Sequence, residues 1–188
     1  PLLWAGLLLN AFGTYVPLQG SEYIVKAAKL LEREKEITFY FYGRGQDKSK
    51  CVQLSQMLNL KNIHFVDTIK PEELRHKIFS ADVVLGLFGD TPKTPLVIPN
   101  KVYESLAMRK PTITADTPAI RELFDENDLF LVKAADSEGL AAAIIKLKSN
   151  PELRNKLAEN GHRKFKENAS HKVLGAEFLK VLNEIKET

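Results

Sequence analysis

With 188 residues, 44% of them hydrophobic and 27% charged, the chain is long enough for one well-buried core and too short for two comfortable ones. The formal charge of +3 is spread as Lys and Arg interleaved with Glu and Asp, which argues weakly for an anionic ligand and against duplex nucleic acid. Cys51 is the single cysteine, so no internal disulfide forms and a reducing, cytoplasmic setting is the simplest expectation.

The opening "PLLWAGLLL" is apolar but lacks a basic leader and falls short of the roughly twenty residues that span a bilayer. It is expected to belong to a buried first strand, "LLWAGLLLNAF". From there, short apolar runs alternate with longer amphipathic stretches, as expected when βα units stack into a parallel sheet with helices on both faces. In order, a helix over 22–33 precedes the strand "ITFYFYG", a helix over 48–58 precedes "NIHFV", and a helix over 71–80 precedes "DVVLGLF". A helix over 100–108 precedes "PTITA", one over 118–124 precedes "LFLV", and one over 137–147 follows. "KPEEL" places Pro71 and two acids in a first turn, and "DSEGL" offers Asp136 and Ser137 as caps. After Asn150 the pattern is helical only, which predicts two helices lying across an edge or reaching a neighbouring domain. Six strands in this alternation predict an α/β fold with an open, doubly wound parallel sheet, order 3-2-1-4-5-6 preferred.

In that order the ligand crevice lies beyond the carboxyl ends of strands one and four. Two long loops rich in Gly and Pro should flank it, "GTYVPLQG" and "GDTPKTPLVIPN". The first offers Gly13 and Gly20 for close approach of backbone to a ligand, and Ser21 as cap of the next helix. In the loop after strand two, Gly43, Arg44 and Gly45 form a single G-x-G. The full G-x-G-x-x-G fingerprint is absent, which disfavours a dinucleotide site. Arg44 and Lys93 are candidate phosphate contacts.

The helix opened by "PNKVYESLA" carries the most informative local signal. With Asn100 as its cap, Lys101 occupies the positive end of the helix dipole and Glu104 follows a turn later, the reverse of what helix stability alone favours. A bound diphosphate would explain the cation, and a carboxylate a turn deeper suits two sugar hydroxyls. A surface Lys–Glu pair worth a few tenths of a kcal/mol is the competing explanation that spacing leaves open.

The segments "PLQGSEYIVKAAKLL", "FYGRGQD", "NIHFVDTIKPEELRHKIFSADVVLGLF" and, above all, "YESLAMRKPTITADTPAIREL" resemble the donor-binding, C-terminal domain of GT-B glycosyltransferases of family 4, or group 1. The resemblance runs from about Phe12 to the last helices. It implies a retaining sugar transfer from a nucleotide sugar, with no cofactor and no protein-bound metal. It identifies Glu104 with the glutamate that contacts the donor ribose. Its partner glutamate would fall at Leu96 and is missing, its role left to a neighbour such as Thr94 or Lys101. The clamp cations after strand one are replaced by Thr14 and Gln19. Thr68 and Ile69 match the segment that meets the nucleobase, Glu122 is expected to be structural, and His64, His76, His162 and His171 match nothing catalytic.

The expected site therefore comprises Lys101 as the catalytic, charge-stabilising group, with Glu104, Arg44, Gly13, Thr14, Gln19, Thr68, Ile69, Lys93, Thr94 and Asn100 binding the donor. The expected partners are a nucleoside diphosphate sugar and a preceding acceptor domain of the same polypeptide, with no nucleic acid; a membrane-peripheral parent enzyme is compatible with this. Residues 1–188 are expected to form one donor domain with a helical extension over 151–188, inactive alone. A nucleotide-sugar epimerase domain and a non-catalytic binding module are the rivals.

Overall fold

The computed structural model describes residues 6–186, so the Leu2–Ala5 part of the expected first strand lies outside the described residues. Six parallel strands form one sheet in the order β3-β2-β1-β4-β5-β6. They are β1 Leu7–Phe12, β2 Ile37–Tyr42, β3 Ile63–Val66, β4 Val83–Leu85, β5 Thr112–Ala115 and β6 Phe130–Val132. Between and after them run α1 Ser21–Leu30, α2 Lys48–Met57, α3 Pro71–Ser80, α4 Asn100–Ala107, α5 Pro118–Arg121, α6 Ser137–Ser149, α7 Pro151–Asn168 and α8 His171–Lys186. This is the expected doubly wound fold.

Both faces of the sheet are buried, which is why its central strands read as continuous apolar runs. On one face Leu9, Phe39, Phe41 and Val83 pack under α1 and α6 through Ile24, Val25, Ala28, Leu140 and Ile144. On the other, Phe12, Tyr42 and Val84 meet Ile78 of α3. Val102 and Leu106 of α4 join Ile120, Phe124 and Leu129 in a third cluster. β4 is shorter than its apolar run, three residues against an expected seven. At Gly86, just past its end, a Cβ would lie 2.5 Å from the Thr114 hydroxyl, so β4 and β5 approach too closely there for any side chain.

Two caps differ from expectation. α1 is preceded by Gly20 in the left-handed region, with Ser21 already its first helical residue. α4 is preceded by extended Pro99, with Asn100 its first helical residue and no side chain capping it. Asp136 does cap α6, accepting from the Gly139 N–H at 2.8 Å. α7 lies across α4, where Gly161 admits Leu106, and His162 Nδ1 meets the carbonyl of Leu106 at 2.9 Å. That histidine closes a helix end, a structural task. α8 buries none of its residues, and Leu174, Phe178, Leu179 and Ile185 stand exposed along it. Among the described residues, no helix is long and apolar enough to cross a membrane.

Candidate functional site

The strand order places β1 beside β4 with their connections leaving on opposite faces, so a crevice opens beyond the carboxyl ends of these two strands. The loops above it are tied together backbone to backbone. Gly13 donates its N–H to the Tyr42 carbonyl at 3.0 Å, Tyr15 to the Arg44 carbonyl at 3.1 Å, and Gly89 to the Leu18 carbonyl at 3.2 Å.

This explains most of the loop glycines, and corrects the expectation that they open the backbone to a ligand. A Cβ on Gly43 would sit 2.0 Å from the Gly13 carbonyl oxygen, one on Gly45 would sit 2.4 Å from the Tyr15 nitrogen, and one on Gly20 would sit 2.3 Å from the Gly89 nitrogen. All three face a neighbouring loop. Gly13 differs, because the groups nearest its missing side chain are the flexible ends of Gln19 and Lys101.

Lys101 lies at the centre of this arrangement. It is only 6% exposed. Its Nζ donates to Gln19 Oε1 at 2.6 Å and lies 5.9 Å from the centre of the Phe12 ring, so the ammonium sits just past the end of β1. Burial pushes the lysine pKa down to about 7, against an upward pull from Glu104. The surface ion pair that spacing left open is thereby excluded for Lys101, whose partner is Gln19. Glu104 is exposed, one turn along the same helix, and partial desolvation still raises its carboxyl pKa while Lys101 lowers it.

Beside this cation, Gly13, Thr14, Arg44, Thr68 and Ile69 share one cavity of about 190 Å³ with Tyr42. Five expected site residues, drawn from three loops, thus meet at one place. Lys93 and Thr94 do not join them. Lys93 is exposed at the start of a one-turn helix. Thr94 is buried, its hydroxyl 3.1 Å from that of Thr91, and it borders a separate cavity with Asp90, Asp116 and Thr117. Asn100 is exposed at the first turn of α4, and Leu96 is 74% exposed.

One residue was missed. Lys48, the first residue of α2, donates to the Gly43 carbonyl at 3.1 Å, the Val66 carbonyl at 3.3 Å and Asp67 Oδ1 at 2.5 Å. The signal for it was present, since α2 also opens on a lysine with no acid in its first turn, the same reversal of charge that marks Lys101.

A family model for the glycosyl transferases group 1 matches residues 8–164, which include every group just described. The chain belongs to that family. The end of α7 and all of α8 lie beyond the matched residues. The fold is similar to the C-terminal domain of LpcC, a group 1 glycosyl transferase from Francisella tularensis, at 22% identity and a TM-score of 0.74, covering 88% of this chain and 87% of that one. It is also similar to Anabaena Alr3699/HepE, solved in complex with UDP-glucose, at 16% identity and a TM-score of 0.82, covering 95% of this chain and 49% of that one. S. aureus TarM, solved in a complex that contains UDP, is similar at 15% identity and a TM-score of 0.81, and there the match covers 95% of this chain and 36% of that one. The group 1 chain thus spans half or less of the Anabaena and TarM proteins. No curated protein matches its sequence significantly.

Proposed function

We propose that this group 1 domain binds the nucleoside diphosphate of a sugar donor in the crevice beyond β1 and β4, as the donor half of a retaining glycosyltransferase. The observation that carries the reading is the Lys101 ammonium, buried and aimed at the end of β1 beside Gly13. A buried cation whose hydrogen-bond acceptor is a neutral amide is costly in an empty protein and useful to one that receives an anion. A diphosphate arriving there displaces Gln19, takes the hydrogen bond, and is stabilised as charge develops on the leaving group. Glu104 accepts hydrogen bonds from ribose hydroxyls, and the base enters the cavity lined by Thr14, Arg44, Thr68 and Ile69. Asn100 contributes a free helix-start amide, and Lys93 a more distant charge. No metal or cofactor is assigned a part. An acceptor domain preceding this one, with α7 and α8 as its helical extension, would complete the enzyme; alone, the chain binds donor and does not turn over.

Because relatives of the same fold are solved with UDP and UDP-glucose, uridine nucleotides are the first ligands to try. Thermal unfolding should be recorded with uridine, guanosine and adenosine diphosphates and their sugars. A ligand at a hundred times its dissociation constant adds about 2.7 kcal/mol to the stability of the fold. Binding that survives Lys101→Met unchanged, or no shift with any nucleotide, ends the proposal.

A further inference from the structure

We infer that Lys48 is the positioning residue of the nucleobase wall: it ties the loops after β2 and β3 together and so fixes Thr68 and Ile69 against the cavity. The inference rests on the donor-site reading and adds to it a residue that never touches the nucleotide.

The geometry is specific. The Lys48 side chain is 19% exposed and crosses from the start of α2 to the sheet edge, where its ammonium meets one acceptor on the β2 loop and two at the end of β3. The Val66 carbonyl it bonds also accepts from the Gly43 N–H at 3.2 Å. One cation therefore holds both strands' ends where they begin to diverge. Asp67, which answers it, is otherwise almost fully exposed, and the ion pair lowers its carboxyl pKa. Thr68 and Ile69 follow directly and line the cavity with Gly43 and Arg44.

The same bonds say what Lys48 does not do. Its donors are committed to two carbonyls and a carboxylate, so it is no second phosphate cation. The Gly43 and Val66 carbonyls are likewise occupied, which leaves the chain at Thr68 and Ile69 to read the base edge. Removing the lysine frees the wall to move, and a mobile wall binds with a lower apparent affinity because only part of its population is competent.

The test compares the unaltered chain with Lys48→Met and Lys48→Arg. Calorimetry gives affinities for uridine, guanosine and adenosine diphosphates and for inorganic pyrophosphate, and amide hydrogen exchange is followed at residues 66–70. Lys48→Met should weaken the preferred nucleoside diphosphate by about tenfold, a change within reach of one lost charged hydrogen-bond network. It should also narrow the preference among bases, leave pyrophosphate within about twofold, a difference of only a few tenths of a kcal/mol, and speed exchange at 66–70. Lys48→Arg should restore part of the base preference. Loss of pyrophosphate in parallel with the nucleotides overturns the inference by making Lys48 a phosphate ligand, and an unchanged base preference overturns it outright. If the unaltered chain binds no nucleoside diphosphate, the donor site itself fails. Exchange at 66–70 that does not respond to Lys48→Met instead refutes the positioning role while leaving the donor site standing.

Discussion

Replacing Lys101 with methionine should make the empty protein more stable while removing its affinity for nucleotide. The substitution keeps the apolar stem and deletes the buried ammonium. Burial takes this lysine from 10.5 to about 7. At about 1.4 kcal/mol per pKa unit that difference is about 4–5 kcal/mol of penalty on the charged form. The Gln19 oxygen and the Phe12 ring favour the charge and offset part of this, which leaves about 2–4 kcal/mol. Between about pH 7 and 10.5 the unfolded chain holds a proton on Lys101 that the folded chain has released, so stability rises with pH across that window. Below it both states are protonated and the penalty is complete. Above it neither is, and the penalty is gone. Urea unfolding should therefore show Lys101→Met exceeding the unaltered chain by about 2–4 kcal/mol near pH 6, with the gap closing towards pH 10. A variant that is less stable at low pH, or a gap that ignores pH, refutes the picture of an uncompensated buried cation.

The same titration predicts that binding a diphosphate near neutral pH draws a proton onto Lys101, so affinity should fall as pH rises above about 7; calorimetry in two buffers of different ionisation enthalpy measures the uptake. Glu104→Ala should weaken nucleoside diphosphates by about 1–3 kcal/mol and leave pyrophosphate unaffected, since only the ribose contact is lost; equal losses for both ligands would place the carboxylate elsewhere. Gly43→Ala should cost about 2–4 kcal/mol in denaturant unfolding, because its φ of 132° is strained for alanine and the new Cβ meets a carbonyl oxygen at 2.0 Å. Gly13→Ala should cost less, about 1–2 kcal/mol, since its φ of 121° is also strained for alanine but the new Cβ crowds only the flexible Gln19 side chain.

Strand number, strand order and the helices between strands were legible because each βα unit announces itself locally, by a change from a short apolar run to a 3.6-residue period. The crevice followed from the order alone. The expected caps Ser21 and Asn100 lie one residue inside their helices, because Gly20 in its left-handed conformation and the extended Pro99 set those boundaries, overriding the capping preference of serine and asparagine. Glycine roles were not legible either. Close approach to a ligand and close approach to another loop demand the same residue, and only the packing of Gly43 on Gly13 and of Gly20 on Gly89 separates the two. The burial of Lys101 depends on Gln19, 82 positions away in the chain, a distance no local pattern reports. Thr94, by contrast, turns inward with a partner only three residues away, Thr91 of the same loop.

α8 folds as sixteen helical residues with none of them buried, and it carries Gly175 in its second turn with nothing close to where a side chain would be. Its cohesion comes largely from residue preference, and an internal glycine subtracts about 1 kcal/mol from that. Amides there should trade hydrogen for deuterium within the earliest time points, long before those of α1 or α4, and the segment should fray without dragging the sheet along. Trimming it ought to leave the melting temperature of the remaining body almost where it was.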